Sequence, residues 1–94
     1  MDDAGVDALR EAIKNIHGCD SRWQKSVPVR ETYWTGEVQV FRLIKHASAK
    51  RCFAWSYLAG SDRRFHAVLE GPTVDSAASA VRAAIASRER TVLF

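Results

Sequence analysis

Apolar residues recur every three or four positions at the start of the chain, every second position through its middle, and every three or four again towards its end. In the first stretch Val6, Leu9, Ile13 and Ile16 share one face of a helix predicted over 3–17. Asp2, Asp3 and Asp7 sit near its positive N-terminal end, and His17-Gly18 is a stop signal, since Gly takes the left-handed position after a helix without a Cβ clash. Three strands are read next. "EVQVFRLIK" (37–45) places Val38, Val40 and Ile44 on one side, with Arg42 interrupting. "RCFAWSYLA" (51–59) alternates Phe53, Trp55 and Tyr57 with Cys52, Ala54, Ser56 and Leu58. "RFHAVLE" (64–70) alternates Phe65, Ala67 and Leu69 with Arg64, His66, Val68 and Glu70. Period-two patterning of this kind marks antiparallel strands with one buried face. "HASAK" and "GSDR" are the turns between them.

After "GPT" a second helix is expected, with Thr73 as its N-cap, Asp75 in its first turn, and a stripe of Val74, Ala77, Ala78, Val81, Ala84 and Ile85. It is expected to fray near 88–90, and the apolar tail "TVLF" to pack back on the domain or pair with a strand edge. Residues 19–36 are the least regular. Pro28 cannot donate to a ladder, so "VRETYW" (29–34) is expected at most as a short edge strand with Thr35-Gly36 as its turn. Trp23 and Trp34 are assigned to covering the core. The expectation is one α+β domain over 1–94: an antiparallel sheet of three strands, or four if 29–34 pairs, with both helices packed on one face, in the order α-(β)-β-β-β-α.

At 94 residues the chain buries roughly 60–70% of its unfolded surface, enough for one modest core. A composition of 47% hydrophobic and 27% charged residues places it among globular rather than disordered chains. The acidic, amphipathic start does not resemble a secretory leader, and no run reaches the ~18–20 apolar residues of a membrane span, so a cytoplasmic protein without membrane attachment is expected. There Cys19 and Cys52 are expected as free thiols, with a disulfide between them left open until their separation is known.

The formal charge is +3. Its placement matters more than its size: residues 1–41 are net acidic, whereas 42–66 hold Arg42, Lys45, Lys50, Arg51, Arg63 and Arg64 against Asp62 alone. If "HASAK" turns one end of the sheet and "GSDR" the other, Lys45, His46, Lys50 and Arg51 gather about 20–25 Å from Arg63 and Arg64. The aromatic strand bears on the same question. If Phe53, Trp55 and Tyr57 share a face with Phe65, Ala67 and Leu69 they form the core, which is the expectation because aromatic rings remove so much apolar area from water. In the alternative register they face outward as a stacking platform for bases.

The α-β-β-β-α order, the basic turn "KHASAKR" and the Ala-rich "GPTVDSAASAVRAAI" resemble the double-stranded RNA-binding domain over roughly residues 6–87. The resemblance implies two helices on one sheet face and a first inter-strand loop that enters an RNA minor groove. Where that family has a Lys-rich helix start, this chain has "TVDSAAS" with Asp75, and "HASA" replaces the family's Gly-Pro-x-His. An acid at the phosphate grip repels RNA. The Ala- and Arg-rich texture is also similar to that of short proteins from GC-rich bacterial genomes.

His17, Cys19, His46, Cys52 and His66 offer metal-ligating atoms but no Cys-x-x-Cys or His-x-x-x-His pair, so no metal site is expected. The chain shows no nucleophile elbow, phosphate-binding Gly loop or dinucleotide fingerprint, so neither an enzyme nor a cofactor is expected. The functional expectation is a non-catalytic interaction domain that binds another protein or a second copy of itself. The alternative is a nucleic-acid-binding module using Lys45, His46, Lys50, Arg51, Arg63 and Arg64. A third hypothesis is a small-molecule pocket between the sheet and the second helix.

Overall fold

α1 (Asp3–His17) leads into β1 (Asp20–Glu31), β2 (Trp34–Ile44), β3 (Arg51–Ala59) and β4 (Asp62–Leu69), and α2 (Ala77–Val92) follows. The computed structural model describes residues 3–32 and 34–92, with side chains in α2 as far as Ser87. The expected docking of the 91–94 tail concerns side chains outside these described residues. The strands form one antiparallel meander in the order β1-β2-β3-β4, so the fold is α+β with a four-stranded open sheet. Among the described residues no helix is long and apolar enough to cross a membrane.

The stop signal after α1 acts as expected. Gly18 adopts φ 75°, and its N–H closes the helix on the Lys14 carbonyl at 2.8 Å. Gly60, at φ 67°, makes the two-residue turn between Ala59 and Asp62, which pair directly. Two other boundaries differ from expectation. β1 is twelve residues long and reaches Glu31, so Thr35 and Gly36 lie inside β2, opposite Arg30 and Val29. Pro28 is tolerated because β1 is an edge strand, where alternate residues have no ladder partner to supply. The N-cap of α2 is Ser76, not Thr73: Ser76 Oγ accepts from Ser79 N at 3.2 Å, while Ser79 Oγ accepts from Ser76 N at 3.0 Å. This is the reciprocal logic of a capping box, with Ser in the place usually held by Glu.

The helices pack on opposite faces of the sheet, not on one. Under α1, Leu9 and Ile13 meet Phe41, Leu43, Ala49, Cys52 and Ala54. Under α2, Val74, Ala77, Ala80 and Val81 meet Val29, Val38, Val40, Phe53 and Trp55. The reason lies in β2 and β3. Val38, Val40, Phe41 and Leu43, and then Cys52, Phe53, Ala54 and Trp55 without interruption, are all buried, so both sides of the sheet centre are apolar. Covering one face alone would leave Phe41 and Cys52, or Phe53 and Trp55, in water. Each fully buried large side chain contributes roughly 1.5–3 kcal/mol of transfer free energy, so a helix on each side wins. Gln39 is a buried polar residue of β2, and its Oε1 accepts from Trp23 Nε1 at 2.8 Å and Ser26 Oγ at 2.6 Å.

The register settles where the aromatic strand points. Phe53 pairs with Val68, Trp55 with His66 and Tyr57 with Arg64. The rings therefore share a face with Arg64, His66 and Val68, whereas Phe65, Ala67 and Leu69 lie on the α1 side. Trp55 is nevertheless only 4% exposed, because α2 covers its face. The expected face shared with Phe65, Ala67 and Leu69 is therefore overturned, and the outward stacking platform with it: Phe53 and Trp55 are core residues under α2.

Candidate nucleic-acid interface

The cations are sorted by the strand register. Arg22 of β1 lies directly opposite Arg42 of β2, and Arg42 directly opposite Arg51 of β3. Directly opposed residues share a face and have Cβ atoms ~4.5–5.5 Å apart, so three guanidinium groups leave the sheet in one row. The row lies on the same side as α2 but beyond its reach: Arg22 and Arg42 are exposed and Arg51 is half-buried. A bulge between Trp23 and Lys25 interrupts β1 beside the row, and exposed Lys25 follows it.

The β2–β3 loop adds two lysines. His46 organises it: Nδ1 accepts the Ser48 N–H at 3.1 Å and the Ala49 N–H at 2.9 Å, which places the ring proton on Nε2. Ala49 is anchored in the α1-side core, and Leu43 N donates to Lys50 O at 2.8 Å, closing the loop. Lys45 takes a left-handed backbone, φ 59°, a conformation that costs a non-Gly residue about 1 kcal/mol. Lys45 and Lys50 are both exposed at this end.

Two adjoining surface cavities mark the ground between these groups. One, of about 570 Å³, is lined by Arg22, Trp23, Gln24, Arg42 and Lys45 among others. The second, of about 500 Å³, is lined by Arg42, Lys45, His46, Lys50, Arg51 and Glu70 among others. Among the described residues, Glu70 is the one acid lining either. It binds Arg51, which donates to Glu70 Oε2 through Nε at 2.8 Å and through Nη2. The hydrogen bond to Glu70 holds the Arg51 guanidinium above its usual range, so Arg51 stays charged but is already paired. Elsewhere Arg10 pairs with Asp7, Lys14 with Asp20, and Arg82 with Glu31. Among the described residues, Arg22, Lys25, Arg42, Lys45 and Lys50 have no carboxylate within the same range.

The six residues singled out in the sequence therefore divide. Lys45, His46, Lys50 and Arg51 come together at one end of the sheet, with His46 committed to the loop and Arg51 to Glu70. Arg63 and Arg64 stand at the other end, beside the β3–β4 turn, where Arg63 donates to Ser56 Oγ at 2.8 Å. Arg51 and Leu58, which is opposite Arg63, are seven positions apart on β3, or ~23 Å. Arg22 was missed. It lies in the irregular 19–36 stretch, within the net acidic 1–41 region, and only the pairing of β1 with β2 brings it against Arg42.

The remaining polar candidates are dispersed. His17 Nε2 donates to the Ala67 carbonyl at 2.7 Å, across the outer edge of β4. His66 stacks on Tyr57, centroids 4.7 Å apart. Cys19 and Cys52 are both free, and burial, with a smaller effect of Cys19, pushes the Cys52 thiol up to about 12. Burial thus favours the uncharged thiol over the thiolate, the nucleophilic form. No protein-family model, curated protein or solved structure matches the chain.

Proposed function

We propose that this protein is a non-catalytic binding domain whose partner is the phosphate backbone of a nucleic acid. The observation that carries the reading is the direct opposition of Arg22 and Arg42 on adjacent strands, flanked by Lys45 and Lys50, with no carboxylate within ion-pair range of any of them among the described residues. Like charges placed opposite one another on a sheet repel, so the arrangement lowers stability in the free protein and gains when an anion bridges it. A line of phosphates is the anion class that engages a row of guanidinium groups and two neighbouring lysines together. The buried Phe53 and Trp55 take no part, so the reading rests on phosphate contacts and implies little sequence preference.

Fluorescence anisotropy of labelled single-stranded and duplex oligonucleotides across a salt series tests it. If Arg22, Arg42, Lys45 and Lys50 each meet a phosphate, the log–log salt slope is about −3.6 for duplex and about −2.8 for a single strand. The double variant R22Q/R42Q is expected to halve the slope, and R63Q/R64Q to leave it unchanged. Binding without salt dependence, or a slope that only R63Q/R64Q reduces, contradicts the proposal.

A second reading rests on a separate observation. β4 is an edge strand, and its Glu70 neighbour donates inward to Arg51 O at 2.9 Å, so alternate residues of β4 turn their backbone groups outward. His17 already takes the outward Ala67 carbonyl, so a protein strand, from a partner or a second copy, would displace that contact or pair beside it. Sedimentation of the full chain over a concentration range tests self-association; the Arg22–Arg42 row is predicted to be irrelevant to it.

A further inference from the structure

We propose a second binding site, in the cleft between β4 and α2, for a small planar aromatic ring that carries a carboxylate. Two cavities open there, of about 630 and 260 Å³, and Tyr57, His66 and Ala84 line both. The smaller reaches Trp34 and Trp55 on one side and Val81 and Ile85 on the other. The larger falls in the ~300–1,000 Å³ range of small-molecule sites.

The cleft exists because of what α2 lacks. The helix turns Ala83 and Ala84 towards the sheet, and side chains this small leave room above the rings of β3 and β4. Those rings form a continuous ladder. Trp34 and Trp55 have centroids 5.8 Å apart, Trp55 and His66 5.1 Å, and His66 and Tyr57 4.7 Å with planes 17° apart. Trp55 is 4% exposed, whereas Tyr57 and His66 are half-buried, so the ladder runs from the core out into the cleft. A planar guest between this ladder and Ala84 meets aromatic faces and apolar carbon, the surroundings in which ring stacking is favourable.

Charge selects the second feature of the ligand. Among the described residues lining the larger cavity there is no carboxylate, and Arg64 is there, exposed and with none within ion-pair range. Arg64 lies directly opposite Tyr57, so its guanidinium leaves the sheet beside the outermost ring of the ladder. One arginine matches a monoanion, and the planar fork favours a carboxylate held by two parallel hydrogen bonds. This site stands at the opposite end of β3 from the Arg22–Arg42 row and does not depend on the nucleic-acid reading.

The test uses the full chain, 2-naphthoate as probe and 2-naphthylmethanol as its uncharged counterpart. Calorimetry and amide chemical-shift mapping are run on both. Saturable binding of naphthoate with a dissociation constant of about 1 mM or tighter is expected, with shifts centred on Tyr57, His66 and Ala84. R64Q is expected to weaken naphthoate about fivefold and to leave naphthylmethanol unchanged. Ala84→Leu fills the cleft and is expected to abolish both, while R22Q/R42Q keeps both. If Ala84→Leu does not fold, the shift map on the wild-type protein decides. The proposal is overturned by an absence of saturable shifts, by shifts centred on Arg22 and Arg42, or by equal affinity for the acid and the alcohol.

Discussion

Replacing Arg42 by Gln should make the free protein more stable and a poorer ligand for nucleic acid, two effects of opposite sign from one change. Arg42 stands between Arg22 and Arg51 in the sheet, and only Arg51 is neutralised, by Glu70. Gln keeps most of the aliphatic stem and removes the charge. Opposed like charges on a sheet cost about 0.2–1 kcal/mol. Two unit charges about 6 Å apart in water repel by ~0.7 kcal/mol, which falls in the same range. For a domain of this size each kcal/mol moves the melting temperature by about 4–8 °C, so R42Q should melt about 1–8 °C higher at 10 mM salt. The gain should vanish near 1 M salt, where the Debye length is ~3 Å. Differential scanning calorimetry at both salt concentrations is the assay, with R30Q as control; Arg30 is exposed, opposite Thr35, and should change stability by less than about 0.5 kcal/mol. If R42Q melts lower than the wild type at low salt, or gains as much at high salt, the row is not under electrostatic tension.

Other outcomes follow from single contacts. Glu70→Gln frees Arg51 and removes the one acid from the cationic end, so oligonucleotide affinity at low salt should rise about two- to fivefold in anisotropy titrations. Ser76→Ala removes the acceptor for Ser79 N and should cost about 1 kcal/mol in urea unfolding, whereas Thr73→Ala should cost less than about 0.5 kcal/mol. Burial favours the uncharged Cys52 thiol in the folded state and pushes it up to about 12, above the ordinary thiol range. Its contribution is therefore complete below pH 9 and is lost as pH rises towards 12, and Cys52→Ala should flatten the fall of the urea midpoint with pH between 9 and 11.

Much of the fold was legible locally. The Val6, Leu9, Ile13 and Ile16 spacing and the Gly18 stop define α1, and the alternation from Arg51 to Ala59 defines β3. The side of the sheet that each helix covers was misread, although a signal was present. "VQVF" and "CFAW" are nearly unbroken apolar runs, and such runs mean burial on both faces rather than one. Weight placed on the bulky Phe53 and Trp55 hid the fact that Cys52 and Ala54 are equally buried. Thr73 looked like a cap because it precedes the apolar stripe, but Gly71 and Val74 bond each other in a tight bridge that delays the helix to Ala77.

The candidate site was legible only in part, for a reason of a different kind. Lys45, Lys50 and Arg51 are close in sequence, so any turn at "HASAK" unites them. Arg22 and Arg42 are far apart along the chain and meet through the β1–β2 register, which depends on the bulge beside Trp23. A bulge shifts one strand by a single residue, and without it the parity of Arg22 relative to the rest of β1 would be reversed. The separation of Arg63 and Arg64 from the other cations was, by contrast, readable from strand length alone.

Phosphate is expected to meet the surface at the Arg22–Arg42 row. Amide and guanidinium chemical-shift mapping of the full chain with a ten-nucleotide single strand reports this directly. It should show perturbations centred on Arg22, Gln24, Arg42, Lys45 and Lys50, fading as salt is raised, with Arg63 and Arg64 unmoved. Shifts gathered at the β3–β4 turn, or none at low salt with an excess of the strand, would contradict it.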